Sequence, residues 1–224
     1  MSLRPPITIM AAIMALPDPP ILVISDRHQA RRALIEVAAA VFAAGGRWFS
    51  LREKDLPAVD RRRLLAALVA LGQRYGATVT AHEDIEAVVA AGAAGVHLPA
   101  TGDPAAARAR LPRALIGVSA HSPAEAAAGL RAGADYVTVS PVFVTQSKPG
   151  YGPAIGPAGL ARAVAAAAGP VVALGGITAA NAGFCRQAGA AGLAVMGEVM
   201  RAAEPGAVFA ALRDAFGEAA SPPG

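Results

Sequence analysis

The sequence is poor in residues that staple or plug a small protein. It has one cysteine, Cys185, so no disulfide framework exists. Aromatic residues make up 4% of the chain against a hydrophobic share of 54%. Alanine, glycine, valine and leucine therefore have to build the core, which suits helices and strands packed closely together. A membrane-length apolar run is also missing. The apolar stretch from Ile7 to Leu16 follows Arg4, but about ten residues cannot cross a bilayer, and no convincing small-x-small cleavage site accompanies it. Residues 1–18 are read as an extension outside the fold, and the protein as cytoplasmic, with no membrane partner. No Gly-x-Gly-x-x-Gly follows the first strand, which argues against a dinucleotide fold.

What is present is a mild basic excess, a net charge of +4 with a pI near 9.8. The arginines (Arg61 to Arg63, Arg108, Arg110, Arg131 and Arg162) are spread along helix faces, and no aromatic stacking set lies beside them. That distribution does not suit a nucleic-acid surface. A diffuse positive field does attract anionic metabolites.

Short β-branched runs alternate with longer alanine-rich, apolar-periodic ones along the whole chain. The runs predict strands at 21–25, 47–52, 78–82, 95–98, 115–120, 136–142, 171–175 and 192–196, with a last helix near 204–216. Four segments share one shape: AAGAAGVHL (90–98), RAGADYVTV (131–139), QAGAAGLAV (187–195) and, more loosely, AAGGRWFSL (43–51). Each ends a helix on glycine, the residue suited to a left-handed C-terminal position, and turns straight into a strand. One α-turn-β unit repeated to a count of eight predicts a single-domain (β/α)8 TIM barrel over 19–218. The tail 219–224 is read as disordered. A length of 224 residues is ordinary for one such barrel.

In a barrel, chemistry belongs to the C-terminal strand ends and the loops after them. Gly175 and Gly176 end strand 7, and Met196 and Gly197 end strand 8. Backbone N–H groups in two such loops form a phosphate nest, because glycine leaves the oxygen room to approach. Arg52 and Lys54 follow strand 2, offering a forked and a point-charge donor to phosphate. Their plainer role is pairing with Glu53 or Asp55. Ser119 and His121 close strand 5; Thr145, Ser147 and Lys148 follow strand 6. His121 is the best acid/base candidate, since an unperturbed imidazole titrates near operating pH. His97, within strand 4, reads as a hydrogen-bonded wall residue, and Cys185 as a small buried one.

The motifs SLREKD (50–55), GVHLP (95–99), IGVSAHSPAEA (116–126), GADYVTVSPVFVTQSK (133–148), VVALGGIT (171–178) and AGAAGLAVMGEV (188–199) resemble the thiamine phosphate synthase/TenI-like family, in its order. The resemblance implies a cytoplasmic thiamine-biosynthesis enzyme acting on a thiazole phosphate or its carboxylate. It gives the thiazole phosphate to Gly175, Gly176, Met196 and Gly197. It gives a diphosphate or carboxylate to Arg52, Lys54, Ser119, Thr145 and Ser147, with His121 and Lys148 as the catalytic pair. A synthase of this kind would use magnesium, yet the family's Asn-Asp pair falls on Ala81 and His82, and its further Asp near Gly102. Glu83, Asp84 and Asp103 are the substitute ligands available, although Glu83 and Asp84 also suit the acidic start of a helix. The leading expectation is therefore a TenI-like thiazole tautomerase, with His121 as proton shuttle and no cofactor. The alternatives are a divergent magnesium-dependent thiamine phosphate synthase and a non-catalytic phosphometabolite-binding barrel. An unrelated phosphosugar isomerase on this fold is the remaining competitor, and a homo-oligomer stays open.

Overall fold

A computed structural model describes residues 14–145 and 153–217. Eight parallel strands close into a barrel in the order β1 to β8, each pairing only with its neighbours in sequence and β1 pairing β8. The strands are β1 (Ile21–Ile24), β2 (Trp48–Leu51), β3 (Thr78–His82), β4 (Gly95–Leu98), β5 (Leu115–Ala120), β6 (Tyr136–Val139), β7 (Val171–Leu174) and β8 (Gly192–Val195). Between them run α1 (Leu34–Ala43), α2 (Ala58–Arg74), α3 (Ile85–Ala91), α4 (Pro104–Arg110), α5 (Pro123–Arg131), α6 (Gly156–Ala166) and α7 (Ala179–Gln187). A four-residue helix α8 (Gly197–Met200) and a longer α9 (Pro205–Gly217) follow β8. This is the expected TIM barrel.

The repeated helix-to-strand turn works as the sequence implies. Gly45, Gly92, Gly133 and Gly189, one in each copy of the shared phrase, all take φ between 63° and 97°. An L-side chain there would be strained.

Five strands, β1, β2, β6, β7 and β8, end earlier than expected, and in β1, β2 and β6 the reason is local. Ser25 still donates its N–H to Ser50 O, but Arg52 N–H turns to the Ser25 hydroxyl instead of a backbone carbonyl, and the β1–β2 ladder stops. In β6, Pro141 has no N–H to offer. Pairing resumes beyond it, where Val142 N–H reaches Leu174 O.

Alternation along the strands separates two cores. Outward residues such as Val23, Phe49, Val96 and Val137 pack under the helices. Inward residues Leu22, Ile24, Trp48, Leu115, Tyr136, Val172 and Ala194 fill the barrel. Leu16 packs against this inner cluster, and Met14 N–H donates to Asp135 at 3.0 Å. Residues 14–18 thus lie against the barrel, inside the span read as an extension, because an apolar side chain is needed to close its floor. Cys185 is buried in α7, and burial pushes its thiol up to about 12. Among the described residues, no helix is long and apolar enough to cross a membrane.

Candidate active site

The C-terminal ends of the strands open into a cavity of about 520 Å³. Arg52, Lys54, Ser119, His121, Thr145, Gly175, Gly176, Met196 and Gly197 all line it, so one mouth collects nearly every residue singled out from the sequence. Ser147 and Lys148 lie outside the described residues.

Each group is held by its element. Gly175 and Gly176 carry φ of 101° and 63° and bend the chain from β7 into the turn before α7. Asn181 locks that turn from both sides, donating to Gly176 O at 2.9 Å and accepting from Thr178 N–H at 2.9 Å. After β8, Gly197 and Glu198 begin α8, so their N–H groups have no acceptor within the helix. His121 follows β5, and its Nδ1–H donates to Ser140 O at 2.9 Å. The neutral ring then carries its lone pair on Nε2.

The acidic residues around Arg52 and Lys54 are committed elsewhere. Glu53 turns away from the cavity and takes Ser25 Oγ at 2.7 Å and Arg27 Nη1 at 2.9 Å. Asp55 pairs with Arg27 and His28, and the Arg27 hydrogen bond, then the His28 one, hold its carboxyl well below the usual range. Lys54 pairs with Glu83. The expected pairing of Arg52 or Lys54 with Glu53 or Asp55 therefore does not occur. Arg52 lines the cavity with no carboxylate partner among the described residues.

The substitute magnesium ligands do not come together. Asp84 caps α3 through Ala87 N–H at 2.8 Å, and its other oxygen takes Arg61 at 2.7 Å. Asp103 caps α4 through Ala105 and Ala106 N–H. Glu83 is on Lys54. A hard cation needs several carboxylate or carbonyl oxygens converging on one point. Among the described residues no such cluster of acidic, histidine or cysteine side chains exists. The residues present do not fit magnesium, because helix capping and ion pairing have claimed the carboxylates.

Beneath the mouth stands a column of rings. Trp48 meets Tyr136 edge-on at 4.8 Å, Tyr136 lies 5.5 Å from His97, and His97 lies 4.8 Å from His82 at the rim. His97 is 1% exposed; burial, and then the Arg52 charge, lower its pKa to about 3. An unfolded histidine titrates near 6.5. Between those values the unfolded chain binds a proton that the folded one refuses, so stability falls as pH drops through that window, by at most about 1.4 kcal/mol per pH unit. Urea titrations of wild type and His97→Gln at pH 7 and pH 4.5 measure this. The variant should lose clearly less stability than wild type on acidification; equal losses would contradict the assignment.

Sequence reasoning passed over Ser140, Glu198 and Arg201, which also line the cavity. Glu198 and Arg201 were legible in principle, because the strand 8 loop was followed only as far as Gly197. Ser140 was hidden by reading strand 6 through Pro141.

A closed β/α barrel whose cation- and glycine-edged mouth gathers acid/base side chains defines the class, a barrel enzyme for an anionic small molecule. Residues 21–199 match the thiamine monophosphate synthase family. A putative thiamine-phosphate synthase of Geobacter sulfurreducens is 42% identical over 195 residues, covering 86% of this chain and 92% of that one. A thiamine-phosphate synthase of Salinispora tropica is 40% identical over 198 residues, 86% of this chain and 95% of that one. The solved thiamine phosphate pyrophosphorylase of Pyrococcus furiosus superposes with a TM-score of 0.81 at 29% identity, covering 90% of this chain and 96% of that one. The chain belongs to the thiamine monophosphate synthase family and is an enzyme of thiamine biosynthesis.

Proposed function

We propose that the enzyme joins a pyrimidine methyl diphosphate to a thiazole phosphate, releasing pyrophosphate and giving thiamine phosphate. One observation carries the reading: Arg52 faces the cavity without a carboxylate partner among the described residues, in the same mouth as the glycine-edged loops of β7 and β8. A cation left without an internal counter-ion suits an anionic ligand. The names of the relatives support the same reaction.

In this reading the backbone around Gly175, Gly176, Met196 and Gly197 takes the thiazole phosphate. Arg52 takes the diphosphate, and Lys54 exchanges Glu83 for a phosphate oxygen. Ser119 and Thr145 add hydroxyl donors from the wall. The thiazole nitrogen attacks the pyrimidine methylene; the C–N bond forms as the C–O bond to diphosphate breaks. Charge grows on the departing oxygen, so a fixed guanidinium stabilises the transition state more than the bound reactants.

The tautomerase, the leading expectation from sequence, becomes the second reading. The engaged carboxylates favour it, since it needs no diphosphate metal. So does His121, whose Nε2 is the basic atom of the neutral ring. There it would take the proton from the thiazole ring carbon and return one to the exocyclic carbon.

The test is thiamine phosphate formation from the two substrates, followed by thiochrome fluorescence, with magnesium and with EDTA. Product is expected, and EDTA should not abolish it. Product that strictly requires magnesium would show that the carboxylates rearrange to bind it. No product, where an authentic synthase works in the same mixture, sinks the synthase reading. Proton exchange on thiazole carboxylate phosphate then separates the tautomerase from a non-catalytic barrel.

A further inference from the structure

Ser119 and His121 sit two residues apart on β5 and beyond it, and both line the cavity. Ser119 is tied to the ring column below. His97 Nε2 lies 3.0 Å from Ser119 Oγ, and His97 Nδ1 lies 3.0 Å from the Tyr136 hydroxyl. We infer that Tyr136, acting through His97, fixes the Ser119 hydroxyl as a hydrogen-bond donor pointed into the cavity, so that the site favours a substrate presenting an acceptor there. The substrate part rests on the cavity being the substrate site; the proton arrangement does not.

The number of hydrogens available fixes the tautomer. A neutral imidazole has one N–H and one lone pair. Tyr136 is fully buried, and among the described residues its hydroxyl has His97 as its one hydrogen-bond partner. If Nδ1 carried the proton, the phenol would have to accept, and its own hydrogen would be left without an acceptor in the core, at the full desolvation cost. The phenol therefore donates to Nδ1, and Nε2 carries the N–H. That N–H points to Ser119 Oγ, with Thr138 Oγ1 further away at 3.3 Å. Thr138 competes in the opposite sense, because among the described residues its hydroxyl also has this nitrogen as its one hydrogen-bond partner. The phenol wins because it is closer, 3.0 Å from its ring nitrogen against 3.3 Å for Thr138. Once Ser119 accepts from Nε2–H, its hydrogen has no acceptor within the protein among the described residues and turns to the cavity.

The packing keeps the relay in place. A Cβ at Gly117 would lie 2.1 Å from the Tyr136 ring, so glycine there makes the room in which the ring stands. Burial also keeps His97 neutral, as the relay requires, because an imidazolium would donate from both nitrogens and turn the phenol away.

Nitrogen-15 NMR of histidine-labelled protein, free of ligand, reads the tautomer directly. His97 should show the Nε2–H form, and Tyr136→Phe, which removes only the hydroxyl, should convert it largely to Nδ1–H. A wild-type Nδ1–H signal, or a tautomer that Tyr136→Phe leaves unchanged, overturns the inference. Calorimetry with thiazole phosphate reads the consequence. Ser119→Ala and Tyr136→Phe should each weaken binding about tenfold, as for one lost hydrogen bond. The double variant should be no weaker than Ser119→Ala alone. Additive losses would mean that Tyr136 acts through packing only, and would overturn the relay. Wild type that fails to bind thiazole phosphate refutes the substrate reading of the cavity and leaves the tautomer result to decide the rest.

Discussion

Gly176→Ala is expected to weaken thiazole phosphate binding about a hundredfold while the barrel still folds. At this position φ is 63°, and an added Cβ would lie 2.3 Å from Val144 O and 2.9 Å from the Phe143 carbonyl carbon. Both are backbone atoms, so no flexible side chain can swing aside. The left-handed backbone alone costs an alanine roughly 1–2 kcal/mol. The overlap must then push the chain after β6 away from the β7 turn. The bonds holding the two together, Val142 N–H to Leu174 O and Phe143 N–H to Gly175 O, both 2.9 Å, are the ones that break. The N–H groups proposed to hold the phosphate move with the turn. Losing two charge-assisted bonds of about 1.5 kcal/mol each gives the hundredfold. Gly183→Ala in α7 is the control, because its Cβ would meet only Ala215 O at 3.6 Å. Calorimetry with thiazole phosphate on both variants decides it. Normal affinity in Gly176→Ala would remove the phosphate from this turn.

The barrel was legible because its signal is local and repeated. A glycine in the left-handed region leading into a strand is written into four separate stretches of sequence, all eight strands fall within the expected limits, and three of them, β3, β4 and β5, match those limits at both ends. The rim was legible for a related reason: once strand ends are placed, topology gathers whatever polar residues follow them. What was hidden depends on partners far apart in sequence. Asp103-Pro104 is a helix-start signature, and Asp84 opens α3 in the same way, so two of the three substitute metal ligands were already claimed by caps. Their position at strand ends outweighed that signal in the sequence reading. The ring column could not be seen at all. Trp48, Tyr136 and His97 come from three different strands, and only barrel closure stacks them.

Glu53→Ala should be the most damaging substitution near the rim, lowering stability by about 3 kcal/mol. Glu53 sits between Arg52 and Lys54, two residues proposed to hold diphosphate, yet it is 2% exposed and faces the other way. Its carboxylate takes the Ser25 hydroxyl, Arg27 N–H at 3.1 Å and Arg27 Nη1 at 2.9 Å. It thereby ties the end of β1 to the end of β2. Breaking a buried ion pair from one side costs about 3–5 kcal/mol. Arg27 is 30% exposed and keeps Asp55, which places the loss at the low end of that range. Glu53→Gln keeps an oxygen for Ser25 and should cost about 1 kcal/mol, the scale of one net hydrogen bond. Urea denaturation with equal m-values reads both differences. The effect should reach activity as well. Ser25 Oγ accepts Arg52 N–H at 2.8 Å, so the carboxylate that orients Ser25 also sets where the Arg52 backbone leaves β2. Glu53→Ala that remains folded should therefore show a raised KM for the diphosphate substrate, with Glu53→Gln close to wild type. If Glu53→Ala is as stable as wild type, the buried carboxylate does not anchor the rim, and Arg52 must be placed by β2 alone.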